Sequence, residues 1–247
     1  MGFPLPRWFA HRGGGSLAPE NTLAGIRLAA QMGYPAVEFD VMLSGDGTPI
    51  LIHDETLERT TNGRGPVSDT PDKVLFSLDA GQGERIPRYD EAVAACRGLG
   101  LLANVEIKPA TGFERETAET VARLSGVLWQ GAAVQPLISS FSLEALEIAR
   151  DLAPQIPRGV LFERVPADWL AVVRHLQAVS LHCAADGLSD DVLAEARAHD
   201  VPVLCYTVNS ADSAKSLFER GVSAIFTDRL DLFTSETSAY KGLQLDG

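Results

Sequence analysis

The chain has 247 residues, 45% of them hydrophobic, so it can bury a core of the size typical of a single α/β barrel. Its 21 basic and 33 acidic residues give a formal net charge of −12, which excludes long-range attraction to nucleic acid or to an anionic membrane surface. Any anionic substrate must therefore be held by local positive charge.

The three cysteines predict a reducing compartment. Cys96, Cys183 and Cys205 form no CxxC pair and are odd in number, as expected for free thiols in a cytoplasmic protein. The first residues lack the pattern of a secretory signal, and no apolar run reaches the roughly 18 residues of a transmembrane helix. These features predict a cytoplasmic protein that is not inserted into a membrane.

The first predicted strand, residues 7–10, runs directly into a polar loop. His11 and Arg12 are followed by three glycines, which permit a tight turn. A helix begins shortly afterwards, and Asn21 or Thr22 is its expected N-cap. For Asn21, capping is favoured over a ligand role.

The second predicted strand, residues 36–41, carries two carboxylates. Glu38 and Asp40 are two positions apart, so both side chains face the same side of the strand. A solvent-facing edge with hydrated carboxylates is less favoured, because the flanking Val37 and Phe39 are apolar. Like charges held this close repel each other, so the arrangement predicts a bound metal ion.

A hairpin and a long polar segment come next. A turn at residues 45–47 should return the chain antiparallel, which brings His53 back towards the end of the second strand. Residues 55–87 are rich in Gly, Thr and Asp and lack clear periodicity. They predict an insertion over one face of the fold, with a short turn or helix near residues 71–78.

From residue 89 onward, helices and strands alternate regularly. The predicted helices cover residues 89–99, 113–128, 143–152, 167–176, 189–199 and 211–220. The predicted strands between them cover residues 101–108, 136–141, 158–162, 178–183, 201–208 and 222–228. Eight strands in a βα repeat predict an α/β fold, a (β/α)8 TIM barrel spanning residues 1–247 as one domain. A doubly wound sheet is disfavoured because no Gly-rich fingerprint opens the first helix. The tail after Asp231 has no pattern and is expected to fray.

In such a barrel the carboxyl ends of the strands meet at one mouth, where barrel enzymes place their chemistry. Glu38, Asp40 and Glu106 would offer three oxygen ligands there, which favours Mg²⁺ or Ca²⁺. A zinc site that recruits a histidine is the less favoured alternative.

The remaining polar residues at the predicted mouth suit phosphate chemistry. Arg12 and Lys108 can share the oxygens of a phosphate group. The imidazole group of histidine has an intrinsic pKa near neutrality, so of His11 and His53 one can deprotonate a nucleophile while the other protonates a leaving oxygen. Together these residues predict cleavage of a phosphate ester.

The same residues form motifs that extend over nearly the whole chain. In order they are His11-Arg12-Gly13, Ala18-Pro19-Glu20-Asn21-Thr22, Glu38-Phe39-Asp40-Val41, His53-Asp54, Glu106-Ile107-Lys108, Ser140-Phe141, Tyr206-Thr207-Val208-Asn209 and Phe226-Thr227-Asp228. The chain thereby resembles the glycerophosphodiester phosphodiesterases of the bacterial cytosolic type. The resemblance implies a TIM barrel with a small insertion after the second strand. It also implies hydrolysis of small-molecule substrates such as glycerophosphocholine or glycerophosphoethanolamine to sn-glycerol 3-phosphate and an alcohol.

Position by position, the resemblance assigns roles to the site residues. It implies metal ligation by Glu38, Asp40 and Glu106, general acid–base catalysis by His11 and His53, and phosphate contact by Arg12 and Lys108. Phe141 and Tyr206 either line the substrate or fill the barrel rim. Tyr206 stands where many members carry tryptophan, which leaves the fit of the head group open.

Three other functions are compatible with parts of this pattern. One is cleavage of an intact lipid, as by phospholipase C or D, and another is a catalytically silent barrel that binds a phosphorylated metabolite. The third is a metal-dependent aldolase or isomerase. The sequence leaves open the choice between Mg²⁺ and Ca²⁺, which histidine is the acid, and the oligomeric state.

Overall fold

The structure is a computed structural model that describes Phe3 and residues 5–233. Its strands are β1 (Trp8–Ala10), β2 (Ala36–Leu43), β3 (Pro49–Leu51), β4 (Leu102–Ile107), β5 (Leu137–Ser140), β6 (Arg158–Phe162), β7 (Ser180–Ala184), β8 (Val203–Tyr206) and β9 (Ala224–Thr227). Its α-helices are α1 (Leu23–Gln31), α2 (Asp72–Leu75), α3 (Tyr89–Leu99), α4 (Glu114–Leu128), α5 (Leu143–Leu152), α6 (Trp169–His175), α7 (Asp190–Ala198) and α8 (Ala211–Arg220).

Eight of the described strands form a closed parallel ring. The order around the ring is β1, β9, β8, β7, β6, β5, β4, β2, and β2 pairs with β1 again. Strand β3 lies outside the ring and pairs antiparallel with β2, as the return arm of the predicted hairpin. The predicted (β/α)8 TIM barrel, with an insertion after the second strand, is therefore confirmed.

Alternation along β2 explains how the barrel displays its polar residues. Val37, Phe39 and Val41 point outwards into the large core between the strands and the helices. The opposite face of the strands forms a smaller apolar layer inside the ring, made of Phe9, Ala36, Leu102, Leu137, Leu204, Ala224 and Phe226. Glu38 and Asp40 continue this inner face towards the carboxyl end of β2, so the apolar layer forms a floor beneath them.

Several helix termini carry the residues expected of caps. The hydroxyls of Ser142, Ser189 and Ser210 accept hydrogen bonds from the third residue of the helix that each one caps. Gly100 and Gly221 end α3 and α8 in the left-handed conformation, which suits glycine. None of the described helices is both long and apolar enough to cross a membrane.

The insertion has a small hydrophobic core of its own. The β2–β3 hairpin and the loop before α4 also contribute side chains to this core. Its buried members are Met42, Ile50, Ile52, Leu57, Val67, Leu75, Ala80, Ile86 and Ala110. The helix predicted near residues 71–78 is present as the single turn of α2. From residue 234 on, the tail predicted to fray lies outside the described residues.

Candidate active site

A cavity of about 600 Å³ opens at the carboxyl ends of the strands. All nine residues that the sequence predicted for the site line it: His11, Arg12, Glu38, Asp40, His53, Glu106, Lys108, Phe141 and Tyr206. They lie on or just after six strands, namely β1, β2, β3, β4, β5 and β8, so only the closed barrel brings them together.

Three buried carboxylates form the centre of the cavity. Glu38, Asp40 and Glu106 each offer an oxygen within 4.8 Å of the others. Burial, reinforced by the charge of Asp40, raises the pKa of Glu38 and raises that of Glu106 to about 8. Glu106 Oε1 is buried and has no hydrogen-bond partner among the described residues. A divalent cation with oxygen ligands fits this cluster, because it would neutralise the crowded charge and satisfy that oxygen.

Asn21 holds Asp40 rather than capping a helix. Its amide donates to Asp40 Oδ2 at 2.9 Å, and its Oδ1 accepts from the Asp40 backbone at 3.1 Å. The N-cap of α1 is Thr22, whose hydroxyl accepts from the Gly25 backbone. The expectation that Asn21 caps was therefore wrong, because its left-handed backbone (φ 56°) turns the side chain back towards β2.

Arg12 contacts the cluster through both its backbone and its side chain. Its backbone N–H donates to Glu38 Oε2 at 2.8 Å, and its Nη1 donates to Glu20 Oε1 at 2.9 Å. Its Nε lies 3.8 Å from Asp40 Oδ2. Burial opposes the charge on Arg12, but the three surrounding carboxylates outweigh burial and raise its pKa. The guanidinium therefore stays charged beside the cavity.

The two histidines are held in the same way. His11 Nδ1 donates to Asp228 Oδ1 at 2.7 Å, and His53 Nδ1 donates to Asp54 Oδ1 at 2.6 Å. In this tautomer Nε2 of each ring carries the lone pair that can exchange a proton, and on His53 that lone pair accepts a hydrogen bond from Lys108. Burial lowers the pKa of His53, which favours the neutral ring.

Lys108 places an ammonium group between the carboxylates and one histidine. Its Nζ lies 3.7 Å from both Asp40 Oδ1 and Glu106 Oε1. It also donates to His53 Nε2 at 2.7 Å. Lys108 thus stands with Arg12 as the second cation at the cavity, and an anionic substrate group can approach both.

An aromatic pair forms part of the cavity wall. The rings of Phe141 and Tyr206 meet edge to face, with centroids 5.9 Å apart and planes at 83°. Phe141 is 46% exposed, and the Tyr206 hydroxyl donates to the Phe162 carbonyl at 2.9 Å. Because that hydroxyl is already engaged, Tyr206 offers the cavity mainly its ring.

Other lining residues were missed by the sequence analysis, among them the polar or charged Asn104, Glu163 and Asp186. Asn104 shares the inner face of β4 with Glu106, and its buried Oδ1 has no hydrogen-bond partner among the described residues. Glu163 and Asp186 follow β6 and β7 and add two exposed carboxylates to the wall. Strand periodicity could have found Asn104, and the rule that barrel sites lie at strand ends could have found the other two.

Known proteins of one family are similar to this chain in sequence and in structure. The model of the glycerophosphoryl diester phosphodiesterase family matches residues 11–232. A glycerophosphodiester phosphodiesterase of Caldanaerobacter subterraneus subsp. tengcongensis is 30% identical over 231 residues, covering 89% of this chain and 92% of that protein.

Solved structures extend this similarity to the fold. A phosphodiesterase of Oleispira antarctica, in complex with the product sn-glycerol-3-phosphate, superposes with a TM-score of 0.88 and 36% identity. The match covers 94% of this chain and 96% of that one. A glycerophosphodiester phosphodiesterase of Agrobacterium tumefaciens gives a TM-score of 0.78 and 29% identity over 94% of this chain and 100% of that one.

Proposed function

Because this chain belongs to the glycerophosphoryl diester phosphodiesterase family and is therefore a phosphoric diester hydrolase, we propose that it cleaves glycerophosphodiesters derived from deacylated phospholipids. The products are sn-glycerol 3-phosphate and a head-group alcohol. One observation carries the proposal: three buried carboxylates, two cationic side chains and two histidines backed by carboxylates line the same cavity. The product-bound Oleispira relative supports the same class of substrate.

Glu38, Asp40 and Glu106 would hold the divalent ion, Mg²⁺ or Ca²⁺. When bound, the ion supplies positive charge that polarises a phosphoryl oxygen. Asn21 fixes the orientation of Asp40, and the Arg12 backbone fixes that of Glu38. These contacts keep the ligand oxygens turned towards one another.

Arg12 and Lys108 bind the phosphodiester group. Their charges face an anion whose negative charge increases in the transition state, so both residues stabilise that state more than the bound substrate. Removal of one such donor typically costs about 3 kcal/mol of transition-state stabilisation. The guanidinium also orients the phosphate, because its planar N–H groups match two of the oxygens.

His11 and His53 move the protons. One Nε2 takes a proton from the nucleophile, which is water or the neighbouring glycerol 2-hydroxyl acting through a cyclic phosphate. The other Nε2 gives a proton to the departing alcohol oxygen. Asp228 and Asp54 each accept the Nδ1–H of their histidine and stabilise the imidazolium that forms.

The cavity wall favours head groups that carry an ammonium ion. Glu163 and Asp186 contribute negative charge there, while Phe141 and Tyr206 offer aromatic rings to a cation. Choline and ethanolamine are cationic alcohols, so glycerophosphocholine and glycerophosphoethanolamine suit this wall better than an anionic head group.

The proposed site of action is the cytoplasm. Cys96, Cys183 and Cys205 are buried free thiols, as expected where thiols stay reduced. Fractionation of cells that produce the protein tests the location, and recovery outside the cytoplasmic fraction would contradict it.

The purified protein tests the reaction directly. Release of glycerol 3-phosphate from glycerophosphocholine is measured with EDTA, with added Mg²⁺ and with added Ca²⁺. We expect release only with a divalent ion. A protein that binds a divalent ion in calorimetry yet releases no product would contradict the proposed substrate and favour an intact lipid substrate or a silent binding barrel.

A further inference from the structure

Arg59 of the insertion joins two carboxylates through paired hydrogen bonds. Its Nη1 and Nη2 donate to Glu20 Oε2 and Oε1 at 2.7 and 2.8 Å. Its Nε and Nη2 donate to Asp54 Oδ2 and Oδ1 at 2.5 and 3.0 Å. Both pairs have the bidentate geometry in which arginine binds carboxylate most strongly.

Each of these carboxylates also contacts a residue of the proposed reaction. Glu20 Oε1 accepts from Arg12 Nη1 at 2.9 Å, and Asp54 Oδ1 accepts from His53 Nδ1 at 2.6 Å. Arg59 therefore lies at the middle of a continuous chain of charged groups. One branch leads to the phosphate-binding arginine, and the other leads to a proton-transferring histidine.

A scaffold role elsewhere does not account for this geometry. The Arg59 side chain is 47% exposed, and both of its carboxylate partners contact residues that line the cavity. Hydrogen bonding to Arg59 is the main cause that lowers the pKa of Asp54, so this carboxylate stays ionised beside His53. The benefit of the contacts is thus local to the two groups that Asp54 and Glu20 orient.

We propose that Arg59 is a positioning residue that fixes His53 through Asp54 and Arg12 through Glu20, so that the insertion sets both proton transfer and phosphate binding. The inference rests on the proposed roles of His53 and Arg12. It gives the insertion a part in the reaction, because Arg59 joins Glu20, in the loop after β1, to Asp54, in the segment after β3.

The two branches predict different kinetic effects. Asp54→Asn breaks the branch to His53 and should lower kcat with little change in KM, whereas Glu20→Gln breaks the branch to Arg12, which binds the phosphate, and should raise KM as well as lower kcat. Arg59→Ala should do both, by about 10- to 100-fold in kcat/KM, the range seen when outer positioning contacts are lost. Adding Asp54→Asn to Arg59→Ala should lower kcat by less than Asp54→Asn does in the wild-type protein, because both changes act on the same branch.

A conservative substitution and a chemical rescue distinguish a positioning role of Arg59 from a role in folding. Arg59→Lys should recover only part of the activity, because an ammonium group cannot form two forks. Guanidinium ion at a few millimolar should partly restore kcat of Arg59→Ala, whereas sodium chloride at the same ionic strength should not. The control is Arg64→Ala, an exposed arginine of the same segment that is not a hydrogen-bond partner of Glu20 or Asp54.

Several outcomes would overturn the inference. One is that Arg59→Ala matches Arg64→Ala in both kcat and KM. Another is that the loss in Arg59→Ala is additive with that in Asp54→Asn and is not restored by guanidinium. If Arg59→Ala does not fold, the split between Asp54→Asn and Glu20→Gln still decides, and identical effects of these two variants would contradict the two-branch geometry. Absence of product release by the wild-type protein would instead contradict the proposed function.

Discussion

His11 Nδ1 lies 2.7 Å from Asp228 Oδ1, so a histidine that follows β1 is held by a carboxylate that follows β9. Asp228 is held in turn by Asn209, whose amide donates to Asp228 Oδ2 at 2.9 Å. The hydrogen bond of the histidine lowers the pKa of Asp228 against the opposing effect of burial. The position of His11 therefore depends on contacts across the seam where the barrel closes.

Loss of either histidine tests proton transfer. His11→Ala and His53→Ala should each lower kcat by roughly 10²- to 10⁴-fold, because the proton on the nucleophile or on the leaving alcohol then has no acceptor or donor. Divalent-ion binding in calorimetry should persist. His175→Ala is a matched control, since that histidine is exposed and pairs with Glu147. Wild-type turnover in both site variants would remove the histidines from the mechanism.

Asn21 should control metal affinity without being a ligand. Asn21→Ala removes two hydrogen bonds from Asp40, so the dissociation constant for Mg²⁺ or Ca²⁺ should rise about 10- to 100-fold in calorimetry. Saturating metal should restore much of the activity. Asn62→Ala, an exposed asparagine of the insertion, should change neither. Unchanged metal affinity in Asn21→Ala would show that Asp40 keeps its orientation unaided.

The wall carboxylates should select the charge of the head group. The double variant Glu163→Gln/Asp186→Asn should lower the ratio of kcat/KM for glycerophosphocholine over glycerophosphoglycerol by about 5- to 10-fold, since it removes two attractions to the cation. Asp212→Asn/Glu219→Gln on α8 removes the same charge away from the cavity and should leave the ratio unchanged. If the two double variants have the same ratio of kcat/KM for glycerophosphocholine over glycerophosphoglycerol, the wall does not select for a cation.

His182 should make the barrel sensitive to acid. Burial lowers the pKa of this side chain from 6.5 to about 3, and its Nδ1 has no hydrogen-bond partner among the described residues. Between these values the unfolded chain binds a proton that the folded chain excludes, so stability falls as the pH drops below 6.5. From pH 7 to pH 5 this histidine should remove about 2 kcal/mol from the free energy of unfolding.

Urea unfolding at both pH values measures this effect. His182→Gln keeps a neutral polar side chain at this position and should lose about 2 kcal/mol less stability than wild type on acidification. His199→Gln changes an exposed histidine and serves as the control. The same pH dependence in wild type and His182→Gln would show that the ring is protonated in the folded barrel.

The period of the hydrophobic pattern and the spacing of the predicted helices and strands were sufficient to predict the barrel. Each strand from β4 to β9 follows a helix of ordinary length, and hydrophobic runs mark where those strands lie. The same logic placed Glu38, Asp40 and Glu106 on inward faces, because side chains two apart on a strand share a side. Local rules were therefore sufficient to predict most of the fold and the residues at the centre of the cavity.

Contacts between loops that are distant in sequence could not be predicted from such local rules. Asn21 reaches Asp40 only because its own backbone adopts a left-handed conformation, whereas its neighbour Thr22 supplies the cap that sequence preference allowed for either residue. Arg59 lies 39 positions from Glu20, and nothing in the spacing relates the two. Such pairs become visible only when the loops are placed in three dimensions.

Closure of the ring has a consequence for the timing of synthesis. Because β1 lies between β2 and β9, a chain emerging from the ribosome carries His11 almost from the outset but gains Asp228 only 217 residues later. Until β9 is made, β1 and β8 present open edges on which another chain can add. We expect the nascent enzyme to stay inactive through nearly all of translation and to acquire its activity in one late docking step.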